Sequence, residues 1–316
     1  MTRVAVLSGG RSSEHEVSLA SAGSVAAGLR GRGHEVVSVE LPREGPWLPD
    51  AATAATLAGA DVVFPVLHGP FGEDGSVQGL LELAGVPYVG AGVTASALCM
   101  DKDLLKSVLR DQGVPVTANV TLRRGEEARN PFDYPVFVKP ARLGSSVGIS
   151  KAHDERELRD AVALAFAHDE KVLVEQLVSG IEVEVGVLGN ESPSVSLPGE
   201  IVVSKGEWYD YSAKYDEGGM ELVVPPRISS AAVARVRELA LAAFVAAECE
   251  GMARVDMFVR DDGEVLVNEL NTIPGFTDTS VYAKLFEASG VPYGELLDRL
   301  VALALERHAR RAALRY

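Results

Sequence analysis

The sequence predicts an α/β chain that begins with an open, parallel sheet. Three observations predict it. Residues 1–95 alternate short apolar runs with helical patterns, which is how a parallel sheet with helices on its faces reads. The strands there end in glycine-rich turns, at the edge where open α/β sheets bind ligands. At 316 residues and 47% hydrophobic, the chain can form two or three domains with cores of their own.

Composition narrows the function. A formal net charge of −15 and a pI near 4.9 argue against a nucleic-acid binder, which needs a basic face. They leave room for a phosphate-bearing ligand, because local lysines override the net field. Cys99 and Cys249 lack metal-type spacing, so a reducing, cytosolic setting is expected. The N-terminus runs straight into a strand pattern, without the apolar core and cleavage site of a signal peptide. No charge-free run approaches the ~20 apolar residues of a membrane span.

Arg3 to Leu7 reads as a buried strand turned by Gly9-Gly10, and Ser13 with Glu16 has capping-box spacing for a helix to about Arg30. Glu14, in its first turn, either complements the helix dipole or holds a substrate ammonium. Strands follow at Glu35–Val39 and Asp61–Leu67. The second of these leads into His68-Gly-Pro-Phe-Gly-Glu-Asp-Gly75, a loop whose glycines suit a site. His68 there is either ligand-facing or structural. A fourth strand is expected at Val86–Val89. Gly90-Ala-Gly92-Val-Thr-Ala95 then fits a loose dinucleotide fingerprint, but on the fourth strand instead of the first, so it reads as a small-residue turn leaving the first domain.

A second domain is expected over 96–178 and a third over 179–316. Lys102 opens a helix to about Gln112. Thr117–Leu122 and Tyr134–Lys139 read as strands, and Arg142-Leu-Gly-Ser-Ser-Val-Gly148 follows. A Gly-Ser loop after a strand that ends in lysine suits phosphate binding by backbone N–H groups, although a mobile surface hairpin reads much the same. A helix is expected at Glu155–Ala167. Strands are expected at Lys171–Gln176, Glu182–Leu188 and, broken by Pro198, Val195–Val203. Trp208–Gly219 is aromatic and charged and reads as a lid. Helices close the chain at Ser229–Glu248, Val281–Ala288 and Tyr293–Arg310.

The most informative stretch is Arg254–Ser280. Asp262-Gly263 between two apolar runs predicts a two-residue type I′ hairpin with positive φ at both positions. That register sets Asp256 opposite Glu269 and Arg254 opposite Asn271, with all four on one face. Two carboxylates and an amide oxygen beside a cation suit Mg²⁺, which takes one or two carboxylates plus substrate phosphates. The alternative is an ordinary hairpin with a solvated acidic face.

GGRSSEHEVSL, LHGPFGEDGSVQGLLELAGVPYVGAG, MDK, FVKPARLGSSVG, YDYSAKY, ARVD and NELNTIPGFT occur in this order between about Val4 and Asp298. In that order and spacing they resemble the D-alanine–D-alanine ligases of the ATP-grasp superfamily. The resemblance implies an N-terminal substrate domain followed by two α+β ATP-grasp domains that clamp ATP. It implies a homodimer, and ligation of two D-alanine molecules through an acyl phosphate for peptidoglycan precursor synthesis.

It also implies roles. Asp256, Glu269 and Asn271 would hold two Mg²⁺ ions, or Mn²⁺. Lys102 and Lys139 would contact the α- and β-phosphates beside Ser146, and Lys214 on the lid the γ-phosphate. Glu175 and Glu182 would face adenine and ribose. Glu14 would bind the first ammonium in a chain with Ser145 and Tyr215, Ser280 the second carboxylate, and Arg254 with the Gly275 N–H the oxyanion. Tyrosine at the Tyr215 position accompanies dipeptide formation in that family, and phenylalanine accompanies ester formation with D-lactate. His15 and Leu143 depart from the arginine and glutamate of some members.

Three other readings remain open from sequence. One is another ATP-grasp ligase of this kind, taking D-lactate or a different D-amino acid in place of the second D-alanine. A dinucleotide oxidoreductase would use Gly90–Ala95. An amino-acid-binding protein would leave the lysines and the acidic hairpin unexplained.

Overall fold

The structure, a computed structural model, describes residues 1–45, 47, 49–204 and 219–315. Lys214, Tyr215 and most of the expected lid lie outside the described residues.

The described residues form three sheets. The first is parallel and contains β1 (Arg3–Gly9), β2 (Glu35–Leu41) and β3 (Val62–Pro65) in the order β2-β1-β3. Its central strand is apolar from Val4 to Leu7 because both faces are covered. Val4 and Val6 pack with Val25 and Leu29 of α1 (His15–Gly31), while Ala5 and Leu7 pack with Leu57 of α2 (Ala51–Ala58) and Leu81 of α3 (Ser76–Ala84). The expected fourth strand is reduced to one bridge, Val63 to Tyr88. Pro87 lacks the N–H that would extend the ladder, and only its carbonyl takes part, accepting from Val63 N at 2.8 Å. The expected capping box also fails. The Glu14 N–H donates to Ser12 Oγ at 3.1 Å, and Glu14 occupies the N-cap position of α1 without capping it.

Small residues at 90–95 have a packing explanation. A Cβ on Gly251 would lie 3.1 Å from the Gly90 Cα, so the glycines let two chain segments touch. From there α4 (Val93–Met100) and α5 (Lys102–Asp111) lead into the second sheet. This is antiparallel, with β4 (Asn119–Arg123), β5 (Val136–Pro140), β6 (Ser150–Ala152) and β7 (Lys171–Gln176) in the order β4-β7-β5-β6. Val136, Val138, Val172 and Val174 meet Leu158, Ala161 and Val162 of α6 (Glu155–Ala165), whose start Asp154 caps.

The third sheet holds β8 (Ile181–Gly189), β10 (Gly199–Val203), β11 (Met220–Val223), β12 (Gly251–Val259) and β13 (Val265–Asn271) in the order β11-β10-β8-β12-β13, with β9 (Ser194–Val195) on β8. Val183, Val185, Val255 and Met257 turn to α7 (Ser230–Ala246), and Leu105 and Leu109 of α5 join the same core. Cys99 and Cys249 are free and buried there, their sulfurs 3.8 Å apart. After α8 (Val281–Ala288), α9 (Tyr293–Ala312) returns to the first sheet, setting Leu297 and Leu300 against Val4 and Val6. Gly28 of α1 permits this approach, since a Cβ there would sit 2.5 Å from Leu297 Cδ1. No helix among the described residues is long and apolar enough to cross a membrane.

The β12–β13 turn corrects the expected hairpin. Gly263 has φ +87°, while Asp262 is not in the positive-φ region. The Gly263 N–H donates to the Arg260 carbonyl at 2.9 Å and the Arg260 N–H to the Glu264 carbonyl at 2.8 Å. This is a type I turn completed by a left-handed glycine, one residue longer than the expected loop. It sets Val259 opposite Val265 and Met257 opposite Val267. A bulge then makes Asn268 the extra residue, and the register returns to Asp256 opposite Glu269 and Arg254 opposite Asn271. The expected pairing therefore holds at the carboxylates, although the turn assumed for it does not.

Candidate active site

A cavity of about 410 Å³ lies between the second and third sheets. β5 and α5 bring Lys139 and Lys102 to it, the 142–149 loop brings Ser145 and Ser146, and β13 brings Asn268 and Glu269. Phe137, Ile201 and Phe258 supply apolar wall. Such a site suits a ligand with a flat apolar part and an anionic tail.

The hairpin face forms first, because it depends only on register. On β12, Arg254 and Asp256 point the same way, and Arg254 donates Nε and Nη2 to the two Asp256 oxygens at 2.7 Å each. Asn271 donates Nδ2 to Asp256 Oδ2 at 3.0 Å. β8 lies on the other side of β12 and sets Glu184 opposite Asp256 and Glu182 opposite Phe258. Glu184 is wholly buried, and its Oε2 is 3.0 Å from Arg254 Nε. One guanidinium thus serves two buried carboxylates. Glu184 escaped the sequence reading, though the EVEV alternation of β8 puts it on the face of Glu182.

The lysines cross the cleft. Lys102 Nζ donates to the Leu143 carbonyl at 2.9 Å and lies 3.3 Å from Glu269 Oε2. The start of α5 is fixed by a buried pair, Lys171 Nζ to Asp101 Oδ1 at 2.6 Å. Lys139 Nζ donates to Asn268 Oδ1 at 3.3 Å, so the bulged residue is itself a site residue that the sequence reading missed. Glu175 lines the cavity, but its carboxylate is taken by Lys139 on one oxygen and by the fully buried Lys106 on the other. Burial works to raise the Glu175 carboxyl, and the charges of Lys106 and Lys139 outweigh it and hold it low.

A second cluster lies toward the first sheet. Ser145 donates to Glu14 Oε1, so the 142–149 loop closes onto α1. Ser145 and Ser146 take left-handed φ of 51° and 58°, an unusual pair of non-glycine values that turns this loop inward. Glu73, also missed, accepts from the Gly69 N–H at 2.6 Å and the Ile273 N–H at 3.3 Å. Burial, and next the charge of Glu14, push its carboxyl up to about 8. His68 Nδ1 donates to the Ile273 carbonyl at 3.0 Å, and its buried Nε2 has no hydrogen-bond partner among the described residues. Burial lowers the His68 pKa and favours the neutral ring. Across the loop, Ser280 Oγ accepts from the Thr277 N–H at 3.0 Å, and a Cβ on Gly275 would lie 3.3 Å from that oxygen.

The family model described as the D-ala D-ala ligase C-terminus matches residues 108–302, and that of the N-terminus matches 3–58 and 48–91. The chain belongs to the D-alanine–D-alanine ligase family. A relative of that name from Solibacter usitatus is 48% identical over 324 residues, covering 99% of this chain and 98% of its own. Another from Deinococcus radiodurans is 47% identical, with 96% and 98% covered. Among solved structures, the D-alanine-D-alanine ligase from Coxiella burnetii superposes with a TM-score of 0.86 at 36% identity, over 99% of this chain and 97% of the other. The VanG D-Ala:D-Ser ligase from Enterococcus faecalis gives 0.84 at 36%, over 96% and 99%. Membership of this ligase family sets aside the oxidoreductase reading of Gly90–Ala95 and the binding-protein reading.

Proposed function

We propose that the protein joins two D-alanine molecules into D-alanyl-D-alanine at the expense of ATP, as an ATP-grasp ligase of peptidoglycan precursor synthesis. The observation that carries the reading is the facing of lysine ammonium groups and oxygen donors across the cleft, Lys102 to the Glu269 carboxylate and Lys139 to the Asn268 amide, in a chain of this family.

The first D-alanine binds with its ammonium at Glu14, whose carboxylate Ser145 steadies. Its carboxylate oxygen attacks the γ-phosphorus, the bond to the β-phosphate oxygen breaks, and ADP departs. An anion attacking an anion needs positioning and charge neutralisation more than covalent help, and Lys102 and Lys139 provide both. The second D-alanine, its carboxylate at Ser280, gives one ammonium proton to solvent, attacks the acyl carbon as the free amine, and passes a second N–H proton to the departing phosphate. Arg254 and the Gly275 N–H stabilise the oxyanion, and phosphate leaves as the C–N bond is completed. Lys214 and Tyr215 lie outside the described residues, and the resemblance gives them roles at the γ-phosphate and the first substrate.

The donors on the hairpin face fit Mg²⁺ or Mn²⁺. Asp256, Glu269 and Asn271 are hard oxygen ligands at adjacent register positions, and Asn271 donates through Nδ2, which keeps Oδ1 as a ligand. Among the described residues no three His, Cys, Asp or Glu side chains could hold a metal by themselves, so the amide oxygen and substrate phosphates complete the set. The ions supply charge neutralisation at the phosphates. We place the protein in the cytoplasm as a homodimer.

The test is phosphate release with Mg²⁺-ATP. D-alanine alone should support it and L-alanine should not. Turnover only when D-alanine is paired with D-serine or D-lactate would reassign the second substrate.

A further inference from the structure

Lys106 is wholly buried, and no step described above uses it. It lies one turn after Lys102 on α5 and points into the protein beside Leu105 and Leu109. Its Nζ donates to Thr117 Oγ1 and Glu175 Oε1. The other oxygen of that carboxylate pairs with Lys139 Nζ. Glu175 is itself buried, so one carboxylate is divided between two ammonium groups, one sealed in the core and one at the cavity. An ammonium buried at this depth is costly unless it is paired, and a methionine would fill much the same space without that cost.

The charge count shows what the lysine does. Glu175 with Lys139 alone would be a neutral pair, and its field on a nearby anion would largely cancel. With Lys106 present, the three groups carry a net charge of one positive unit, and Lys139 is the ammonium that lines the cavity, beside Glu175. We propose that Lys106 is a positioning residue for ATP binding, which takes up the charge of Glu175 so that Lys139 is held in place yet presents net positive charge to the polyphosphate. This rests on the ATP reading above.

The groups facing Lys106 are Glu175 from β7, Lys139 from β5, Thr117 from the segment before β4, and Glu269 of β13 acting through space, with Lys102 on its own helix. Burial lowers Lys106 to about 8 against the pull of Glu175. Loss of that proton leaves Glu175 to neutralise Lys139.

The experiment is calorimetric titration of Mg²⁺-ATP into the full chain, its Lys106→Met variant and the double variant Lys106→Met with Glu175→Gln, each checked by thermal melting. Lys106→Met should weaken binding about tenfold, a change of ~1.4 kcal/mol. The double variant should recover most of that loss, because the carboxylate that neutralises Lys139 is gone. A merely structural lysine predicts no recovery, and a double variant no tighter than the single one overturns the proposal. Unaltered binding by Lys106→Met overturns it as well. Should Lys106→Met not fold, the wild type decides. Its affinity should fall between pH 7 and 9, and a flat profile overturns the proposal. If the wild type does not bind Mg²⁺-ATP, the ATP reading fails and this proposal with it; binding that ignores the substitutions sinks this proposal alone.

Discussion

Arg254 donates to both oxygens of Asp256 at 2.7 Å and also lies 3.0 Å from Glu184, so a single guanidinium balances two buried carboxylates on neighbouring strands. The arginine assigned to the oxyanion therefore also allows the acidic face to be buried. The two roles separate by substitution.

Arg254→Ala should lose turnover by ~10²-fold or more, the scale for removing an oxyanion donor. It should also destabilise the fold by ~3–5 kcal/mol, the scale for stranding buried charge. Arg254→Lys keeps a charge but cannot form the bidentate fork. It should regain much of the melting temperature while turnover stays low. Full recovery of turnover with lysine would show that charge alone suffices.

Glu73 predicts a pH signature. Its carboxyl is raised from 4.5 to about 8, by burial first and Glu14 second. Between those values the folded state keeps a proton that the unfolded chain releases, so the folded state binds more protons and stability falls as pH rises. Below 4.5 both states are protonated and the contribution is fully present. Melting temperature should decline from pH 6 to 8 in the wild type and decline less in Glu73→Gln, which has no proton to lose. Parallel profiles for the two proteins would refute the assignment.

Much of this was legible in the sequence, for local reasons. The apolar run of β1, the helical patterns after it and the apolar runs flanking Asp262-Gly263 each follow from neighbouring residues, and they gave the element order and the acidic face. Glu73, Glu184 and Lys106 were missed for one shared reason. Each is defined by a partner far along the chain, Ile273, Arg254 and Glu175 respectively, and no local pattern announces such a contact. Tyr88 is a different case, since the adjacent Pro87, a local feature, limited the expected strand to one bridge.

Glu269→Ala tests the metal assignment. Its side chain is 18% exposed and belongs to no hydrophobic cluster, and its partner Lys102 keeps the Leu143 carbonyl, so the fold should survive its loss. Turnover should fall below detection, and the Mg²⁺ concentration giving half-maximal phosphate release should rise if residual activity is measurable. Wild-type turnover in this variant would remove Glu269 from the ligand set.

Asn268 carries the last prediction. The turn at Gly263 alone would leave β13 one residue out of step with Asp256, and side chains alternate faces along a strand. The bulge at Asn268 is the correction that returns Glu269 and Asn271 to the face of Asp256. Deleting Asn268 should therefore leave the turn and the Met257–Val267 pairing intact and close the bulge into a regular ladder, with Glu269 still opposite Asp256. Mg²⁺ protection in a thermal melt should persist, while ATP binding weakens because Lys139 loses its Asn268 contact. Asn268→Ala keeps the bulge and loses only the contact with Lys139, so it should weaken ATP binding by severalfold and retain Mg²⁺ dependence. A deletion variant that loses Mg²⁺ protection would mean that the carboxylate face needs the bent geometry of the bulge as well as the register it restores.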